Sequence, residues 1–178
     1  MHFLISGIPA SGKSTFCRWL EETKGFLHLD VEKPGILDRN GLATIWASLF
    51  EASTSAAPFI EALEKFKRPV VIDWGFPPEH LTTVRKLSEG GVMPWWFAAD
   101  WAVARRKFKE RGTLPMGVLK AMADFGLLVE VSRGRRELVH FRPTDRTIVF
   151  LAHDLRFAGS TDAGVVDHKD WGLFGLTN

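Results

Sequence analysis

Residues 7–14 of the chain read Gly-Ile-Pro-Ala-Ser-Gly-Lys-Ser, and they separate two segments of different character. The preceding residues 3–6 (Phe-Leu-Ile-Ser) form an apolar run of strand length. The following residues 14–23 read as a helix, which stops before Lys24-Gly25, a typical helix end. This strand–loop–helix order, with Gly7 and Gly12 in the loop, predicts the first unit of an α/β fold.

The 7–14 segment also matches the pattern G-x-x-x-x-G-K-[ST] of phosphate-binding P-loops. Its glycines let main-chain N–H groups surround an anion, and the positive end of the following helix adds to the attraction. Lys13 is predicted to reach the β- and γ-phosphates of ATP, and the Ser14 hydroxyl is predicted to bind Mg²⁺. The residues predicted to contact the nucleotide are Gly7, Pro9, Ala10, Ser11, Gly12, Lys13, Ser14, Thr15 and, from a later helix, Arg105.

The rest of the chain alternates strand-like and helix-like segments. Further strands are predicted at residues 26–30, 69–73, 92–98 and 146–151, and further helices at residues 42–51, 58–66, 77–88, 101–110 and 116–131. Strands separated by helices indicate a parallel sheet covered on both faces, which is a three-layer α/β fold. No change in composition divides the chain, so residues 1–178 are predicted to form one domain, with a lid at about residues 105–136.

Two of the predicted strands end in an acidic residue. Asp73 closes the apolar run Val-Val-Ile-Asp, a pattern typical of acids that orient Mg²⁺, and it is the second predicted metal residue. Asp30 is the predicted catalytic base for an acceptor hydroxyl, with Glu32 and Asp38 as nearby alternatives. Each acid could instead cap the turn after its strand. His28 shares the face of Asp30 and is interpreted as a packed strand histidine.

Arginines cluster on or just after the predicted helix at residues 101–110. An arginine that approaches a transferring phosphoryl group stabilises its charge and excludes water, so Arg111 is predicted to be catalytic together with Lys13 and Asp30. Residues 111–115 are predicted to be the hinge of the lid. The alternative for these arginines is a solvated basic helix face. Further arginines that could contact an anion are Arg39, Arg85, Arg106, Arg133, Arg135 and Arg136.

The overall composition limits the classes of partner. The 23 basic and 21 acidic residues give a net charge of +2, which counts against a dedicated binder of long nucleic acid. The single cysteine excludes an intrachain disulfide and fits a reducing compartment. No apolar run approaches the about 20 residues of a membrane span, and no signal-like leader is present, so we expect a cytoplasmic protein without membrane attachment.

These features together resemble the P-loop kinases of small molecules, in particular the branch of zeta toxins, chloramphenicol phosphotransferase and the kinase domain of polynucleotide kinases. The similarity is carried by residues 7–14, Asp30, residues 70–76 (Val-Val-Ile-Asp-Trp-Gly-Phe) and the Arg105, Arg106 and Arg111 cluster. The resemblance implies a five-stranded parallel sheet of order 2-3-1-4-5 with a lid, and Asp30 as the base. The chain lacks the Asp-x-Asp pair of shikimate-type kinases and the Asn-Lys-x-Asp motif of GTPases, and the resemblance does not extend to its C-terminal third.

The sequence thus predicts an ATP- and Mg²⁺-dependent phosphotransferase that acts on a hydroxyl of a small-molecule acceptor. Residues 31–66 and 74–80 are predicted to form the acceptor site, and their aromatic content favours an apolar or aromatic acceptor. One alternative is a 5′-hydroxyl nucleoside or polynucleotide kinase, since tryptophans such as Trp46 and Trp74 could stack on a base. Another is an ATP-binding regulatory protein that has no acceptor.

Overall fold

The computed structural model describes residues 1–7, 9–75, 80–98, 101–112, 117, 120, 137–141 and 148–154. In this part of the chain, strands and helices alternate from the N-terminus to residue 111. The elements are β1 (His2–Gly7), α1 (Lys13–Lys24), β2 (Leu27–Asp30), α2 (Ile36–Arg39), α3 (Ala43–Ser48), α4 (Ala57–Glu64), β3 (Val70–Asp73), α5 (Leu81–Glu89), β4 (Val92–Ala98), α6 (Trp101–Arg111), β5 (Glu137–Phe141) and β6 (Ile148–Asp154).

The first four strands form a parallel sheet, which confirms the predicted α/β class. Their order across the sheet is β2-β3-β1-β4, so β1 lies between β3 and β4. The register pairs Leu4 of β1 with Ile72 of β3 and with Pro94 of β4. Neighbouring parallel strands can be joined only by crossover connections. The helices that separate β1, β2, β3 and β4 along the chain form these connections.

The edge of the sheet beyond β4 differs from the prediction of a fifth parallel strand. The neighbour of β4 is β6, which overlaps the predicted strand at residues 146–151 but runs antiparallel, and β5 then pairs antiparallel with β6. Only residues 142–147 connect β5 to β6, and so short a connection permits a hairpin but no parallel crossover. Within the described residues the sheet therefore has six strands, and β5 was not predicted from the sequence.

Side chains of β1 and β3 alternate between two hydrophobic clusters on opposite faces of the sheet. Phe3, Ile5 and Val71 pack with the buried residues of α1, whereas Leu4 and Ile72 pack with buried residues of α3, α4, α5 and α6. This alternation is the two-residue period of a strand, and it places helices on both faces, as a three-layer arrangement requires.

The predicted helices at residues 42–51 and 58–66 correspond to the shorter helices α3 and α4, and the four-residue α2 was not predicted. Helix α5 begins at Leu81, while residues 77–79 of its predicted span lie outside the described residues. Most of the predicted helix at residues 116–131, and most of the predicted lid, also lie outside them. No helix in the described parts of the chain is long and apolar enough to cross a membrane.

Candidate functional site

The loop that joins β1 to α1 contains three residues with positive φ. These are Gly7 (φ 149°), Ala10 (φ 63°) and Gly12 (φ 102°), with Ile8 outside the described residues. Positive φ is strained for an alanine, so the fold holds Ala10 against its local preference. Gly12 is the N-cap of α1, and no side chain of the described residues caps the helix there. The first N–H groups of α1 are therefore left without a side-chain acceptor at the loop.

Lys13 is the first residue of α1, and its side chain is buried. Only 7% of the residue is accessible to solvent, and it has no ion pair within the described residues. Its Nζ lies close to Gly75, since a Cβ at Gly75 would stand 3.2 Å from that nitrogen. A buried ammonium that no carboxylate contacts directly is unfavourable, so this position favours an anionic ligand.

Glu32 reaches the same point from the other side. A Cβ at Gly75 would lie 3.3 Å from Glu32 Oε1. Although part of Glu32 is exposed, the surrounding protein desolvates its carboxylate and raises its pKa, an effect that the positive charge of Lys13 partly offsets. The structure thus brings Glu32, an alternative base in the sequence prediction, close to Lys13.

The strand-end acids lie side by side at the carboxyl edge of the sheet. Asp30 and Asp73 are paired in the register of β2 and β3, and Ile5 of β1 is paired with Asp73 on the other side. The Val31 N–H donates to the Asp73 carbonyl at 3.2 Å, and the Trp74 N–H donates to the Ile5 carbonyl at 3.2 Å. These bonds continue the sheet past its strand ends, so they fix the segments that carry Glu32 and Gly75.

The two acids differ in environment. Asp73 is 1% exposed, and its Oδ1 has no hydrogen-bond partner among the described residues. Its Oδ2 lies 3.4 Å from His28 Nε2. Asp30 is half-buried, and its main-chain carbonyl accepts the Lys33 N–H. Asp38, the remaining alternative base, is exposed on α2.

The contact between His28 and Asp73 was not predicted from the sequence. The interpretation as a packed strand residue is incomplete, because its ring nitrogen contacts the buried Asp73 carboxylate. Cys17 of α1 lies on the same side of the sheet, and burial raises the pKa of its thiol well above the usual value. The period of β2 already placed His28 on the face of Asp30, but the register that brings it to Asp73 is visible only in the folded chain.

The arginines of α6 are exposed. Ala104 and Phe108 form the buried side of the helix, whereas Arg105 and Arg111 point away from the core. No hydrogen bond or ion pair joins these two arginines to the β1–α1 loop within the part of the chain that is described. Arg106 lies 4.0 Å from Glu110 across one helical turn. Arg39 on α2 and Arg85 on α5 are exposed as well. Residues 113–115 of the predicted 111–115 hinge fall outside the described residues, as do Arg133, Arg135 and Arg136.

An aromatic cluster lies next to Gly75 in the chain. The Trp74 ring is 5.0 Å from Trp46, 5.8 Å from Phe50 and 5.8 Å from His80, measured between ring centroids. Phe50 contacts His80 at 4.7 Å and is 40% exposed, which is unusual for a large apolar residue in this structure. The cluster joins the two segments predicted to form the acceptor site, residues 31–66 and 74–80.

The remaining predicted contact residues surround the turn into α1. Ser11 is buried, and its Oγ has no hydrogen-bond partner within the described residues. Pro9, Gly12, Ser14 and Thr15 are partly accessible. Comparison with models of known protein families and with curated proteins finds no match to this chain.

Proposed function

We propose that this protein is an ATP- and Mg²⁺-dependent phosphotransferase that acts on a hydroxyl group of a small-molecule acceptor. The observation that carries the proposal is the buried Lys13, which has no ion pair among the described residues. It stands at the start of a helix whose N-terminus has no side-chain cap. A phosphate group would give this ammonium a direct ionic partner and would accept from main-chain N–H groups of the loop.

The local structure fits a nucleotide phosphate chain. Positive φ at Gly7 and Gly12 is the backbone form in which successive N–H groups can turn inwards around an anion. The unpartnered Ser11 Oγ offers a further donor there. Lys13, the neighbouring loop N–H groups and, as predicted, Arg105 would hold the phosphates. ATP is the expected donor.

The metal would be held by Ser14 and Asp73. Asp73 supports this assignment because one oxygen of its buried carboxylate lacks a partner among the described residues, and a cation would satisfy it. When bound, Mg²⁺ neutralises charge on the phosphate oxygens. The protein groups that act alongside it are Lys13, which stabilises the transferring group, and Arg111, if it closes over the site as the sequence predicts.

Two carboxylates are candidates for the group that receives the acceptor proton. In the transfer, the acceptor oxygen bonds to the γ-phosphorus, the bond to the bridging oxygen breaks, and ADP leaves with the electron pair. The released proton passes to a carboxylate. Asp30 remains our first assignment because it lies beside Asp73 at the sheet edge. Glu32 is the alternative, since its raised pKa and its place near Lys13 suit a proton acceptor.

The aromatic cluster supports an acceptor with a flat or apolar part. Phe50 exposes part of its ring beside Trp74 and His80, and Trp74 directly precedes Gly75, which contacts the region of Lys13. Phe50 packs on Trp74, and Trp74 is next to Gly75 in the sequence. An acceptor ring placed against Phe50 would therefore lie near the reacting groups. The same cluster favours a second candidate, a nucleoside with a 5′-hydroxyl, since its base could stack there.

The test is ATP consumption with Mg²⁺ across a panel of hydroxyl compounds, which includes nucleosides, sugars and phenicol-like aromatics. Lys13→Ala should abolish ATP binding. Asp30→Asn and Glu32→Gln are a matched pair, because each removes one carboxylate charge and keeps the shape. The base should lose about 100-fold or more in turnover while ATP binding persists, and the other acid should lose less. ATP binding without turnover for any acceptor would instead support a regulatory protein, and no ATP binding would refute the proposal.

A further inference from the structure

Three side chains from three different elements converge below the strand ends. They are Cys17 of α1, His28 of β2 and Asp73 of β3, and one potential ligand atom from each lies within 4.8 Å of the other two. The position is enclosed, because the side chain of His28 is 11% exposed and that of Asp73 is 1% exposed, while Cys17 is fully buried. The three atoms are a sulfur, an imidazole nitrogen and a carboxylate oxygen.

The polar groups of this cluster do not satisfy one another. Asp73 Oδ1 is buried and has no hydrogen-bond partner among the described residues, while Oδ2 has one long contact of 3.4 Å to His28 Nε2. A carboxylate buried to this extent is normally paired by several donors or by a cation. The buried Asp73 carboxylate, which keeps one oxygen without a partner among the described residues, therefore favours a cation beside it.

We propose that Cys17, His28 and Asp73 bind a zinc ion. Thiolate, imidazole and carboxylate together form a ligand set that suits Zn²⁺, whereas Mg²⁺ prefers oxygen ligands alone. Ligands on a tetrahedral zinc stand about 3.3–3.8 Å apart, given metal–ligand bonds of about 2.0–2.3 Å. Small side-chain rotations would bring the cluster to that spacing. On binding, the Cys17 thiol releases its proton to solvent, and a fourth position stays open for water.

One consequence rests on the proposed function, although the zinc site itself does not. Asp73 belongs both to this cluster and to the pair of residues assigned to Mg²⁺. When Asp73 binds zinc, its carboxylate is no longer available to the Mg²⁺ that accompanies the nucleotide. Zinc should then inhibit phosphotransfer, and excess Mg²⁺ should relieve the inhibition only in part because it does not compete for the sulfur and nitrogen ligands.

The site is tested by titrating the full metal-free chain with Co²⁺, a spectroscopic substitute for zinc, and then displacing the Co²⁺ with Zn²⁺. We expect a sulfur-to-cobalt charge-transfer band and the visible bands of a tetrahedral ion, both lost on addition of Zn²⁺. Cys17→Ser should lose the charge-transfer band. His28→Gln should bind Zn²⁺ at least roughly tenfold more weakly. Even the mutation of a residue that only hydrogen-bonds to a metal ligand typically lowers metal affinity about 10–100-fold. His80→Gln, a histidine outside the cluster, is the matched control and should bind as the wild type does.

Folding of each variant is checked without metal by circular dichroism, and Cys17→Ala is a second variant should Cys17→Ser unfold. In addition, Zn²⁺ should raise the melting temperature of the wild type and of His80→Gln but not that of the Cys17 variants. The proposal is overturned if the wild type shows no charge-transfer band, or if Cys17→Ser and Cys17→Ala bind Zn²⁺ as tightly as the wild type. Zinc inhibition of turnover is measured separately, so loss of the proposed kinase activity would leave the binding result intact.

Discussion

Replacement of Lys13 by methionine tests the central electrostatic argument. Methionine keeps an unbranched apolar stem of similar length and removes the charge. In the ligand-free protein the Lys13 ammonium is buried and has no ion pair within the described residues. A buried ion of this kind costs several kcal/mol, part of which neighbouring dipoles offset, so we expect Lys13→Met to stabilise the free protein by about 1–3 kcal/mol. For a chain of this size that is roughly 2–4 °C in melting temperature for each kcal/mol.

Lys86→Met is a matched control for which we expect a change in stability of the opposite sign. Its half-buried ammonium donates to the main-chain carbonyls of Leu49 (3.1 Å) and Glu51 (2.5 Å), so α5 is tied to the segment after α3. Lys86→Met makes the same chemical change but removes two charge-assisted hydrogen bonds. We expect it to destabilise the protein by about 1–2 kcal/mol, because the carbonyls can be partly rehydrated.

Both variants are measured by thermal and urea unfolding in a chloride buffer that contains no phosphate or sulfate, with and without Mg²⁺–ATP. Nucleotide at 100 times its Kd should stabilise the wild type and Lys86→Met by about 2.7 kcal/mol, and Lys13→Met by much less. If Lys13→Met destabilises the free protein as Lys86→Met does, then Lys13 already has a partner. The argument that its burial prepares an anion site would then fail.

Three further outcomes follow from the same geometry. Gly75→Ala should reduce turnover by about tenfold, because the added Cβ would press on Lys13 and Glu32 and small displacements of reacting groups are costly. Steady-state kinetics beside the wild type would show it, and unchanged turnover would contradict the placement of Lys13 and Glu32 around Gly75. Glu32→Gln should make the protein less sensitive to rising pH. Because the pKa of Glu32 is raised in the folded state, the folded protein holds a proton that the unfolded chain releases above pH 4.5, so the stability of the wild type falls from there up to the folded pKa. Urea unfolding from pH 4 to 8 should therefore show a smaller decline in stability for the variant than for the wild type. Phe50→Ala should raise the KM for an aromatic acceptor several-fold and leave the KM for ATP unchanged, and an equal effect on both would contradict the placement of the acceptor.

The parallel part of the fold was predictable because local signals and topology agree there. The apolar β-branched run of β3 and the strand–loop–helix at the N-terminus each have one reading, and their carboxyl ends must share an edge once the sheet is parallel. The far edge was not predictable in the same way. The hairpin of β5 and β6 is specified by pairing between segments, and the five residues of β5 (Glu-Leu-Val-His-Phe) were too short to be distinguished from a loop.

At the candidate site, the sequence supplied candidate residues but not which of them meet. Asp30 and Asp73 were placed at the same edge from their strand positions, and the structure pairs them. The approach of Glu32 to Lys13 depends on the turn after β2 and on the absence of a side chain at Gly75. No sequence period encodes that contact. The proximity of Cys17 to Asp73 likewise arises from the packing of α1 on the sheet.

The ligand-free site contains two buried charges of opposite sign that are incompletely compensated, and one ligand could compensate both. Lys13 is a buried cation without an ion pair among the described residues, and Asp73 is a buried anion with an unpartnered oxygen. Free nucleotide would supply the anion that Lys13 lacks but would add negative charge near Asp73. Free Mg²⁺ would do the reverse. A magnesium–nucleotide complex brings both charges at once, so each half reduces the electrostatic penalty of binding the other. The burial of both groups, rather than either one alone, is therefore the feature that favours a metal–nucleotide ligand over a simple phosphate.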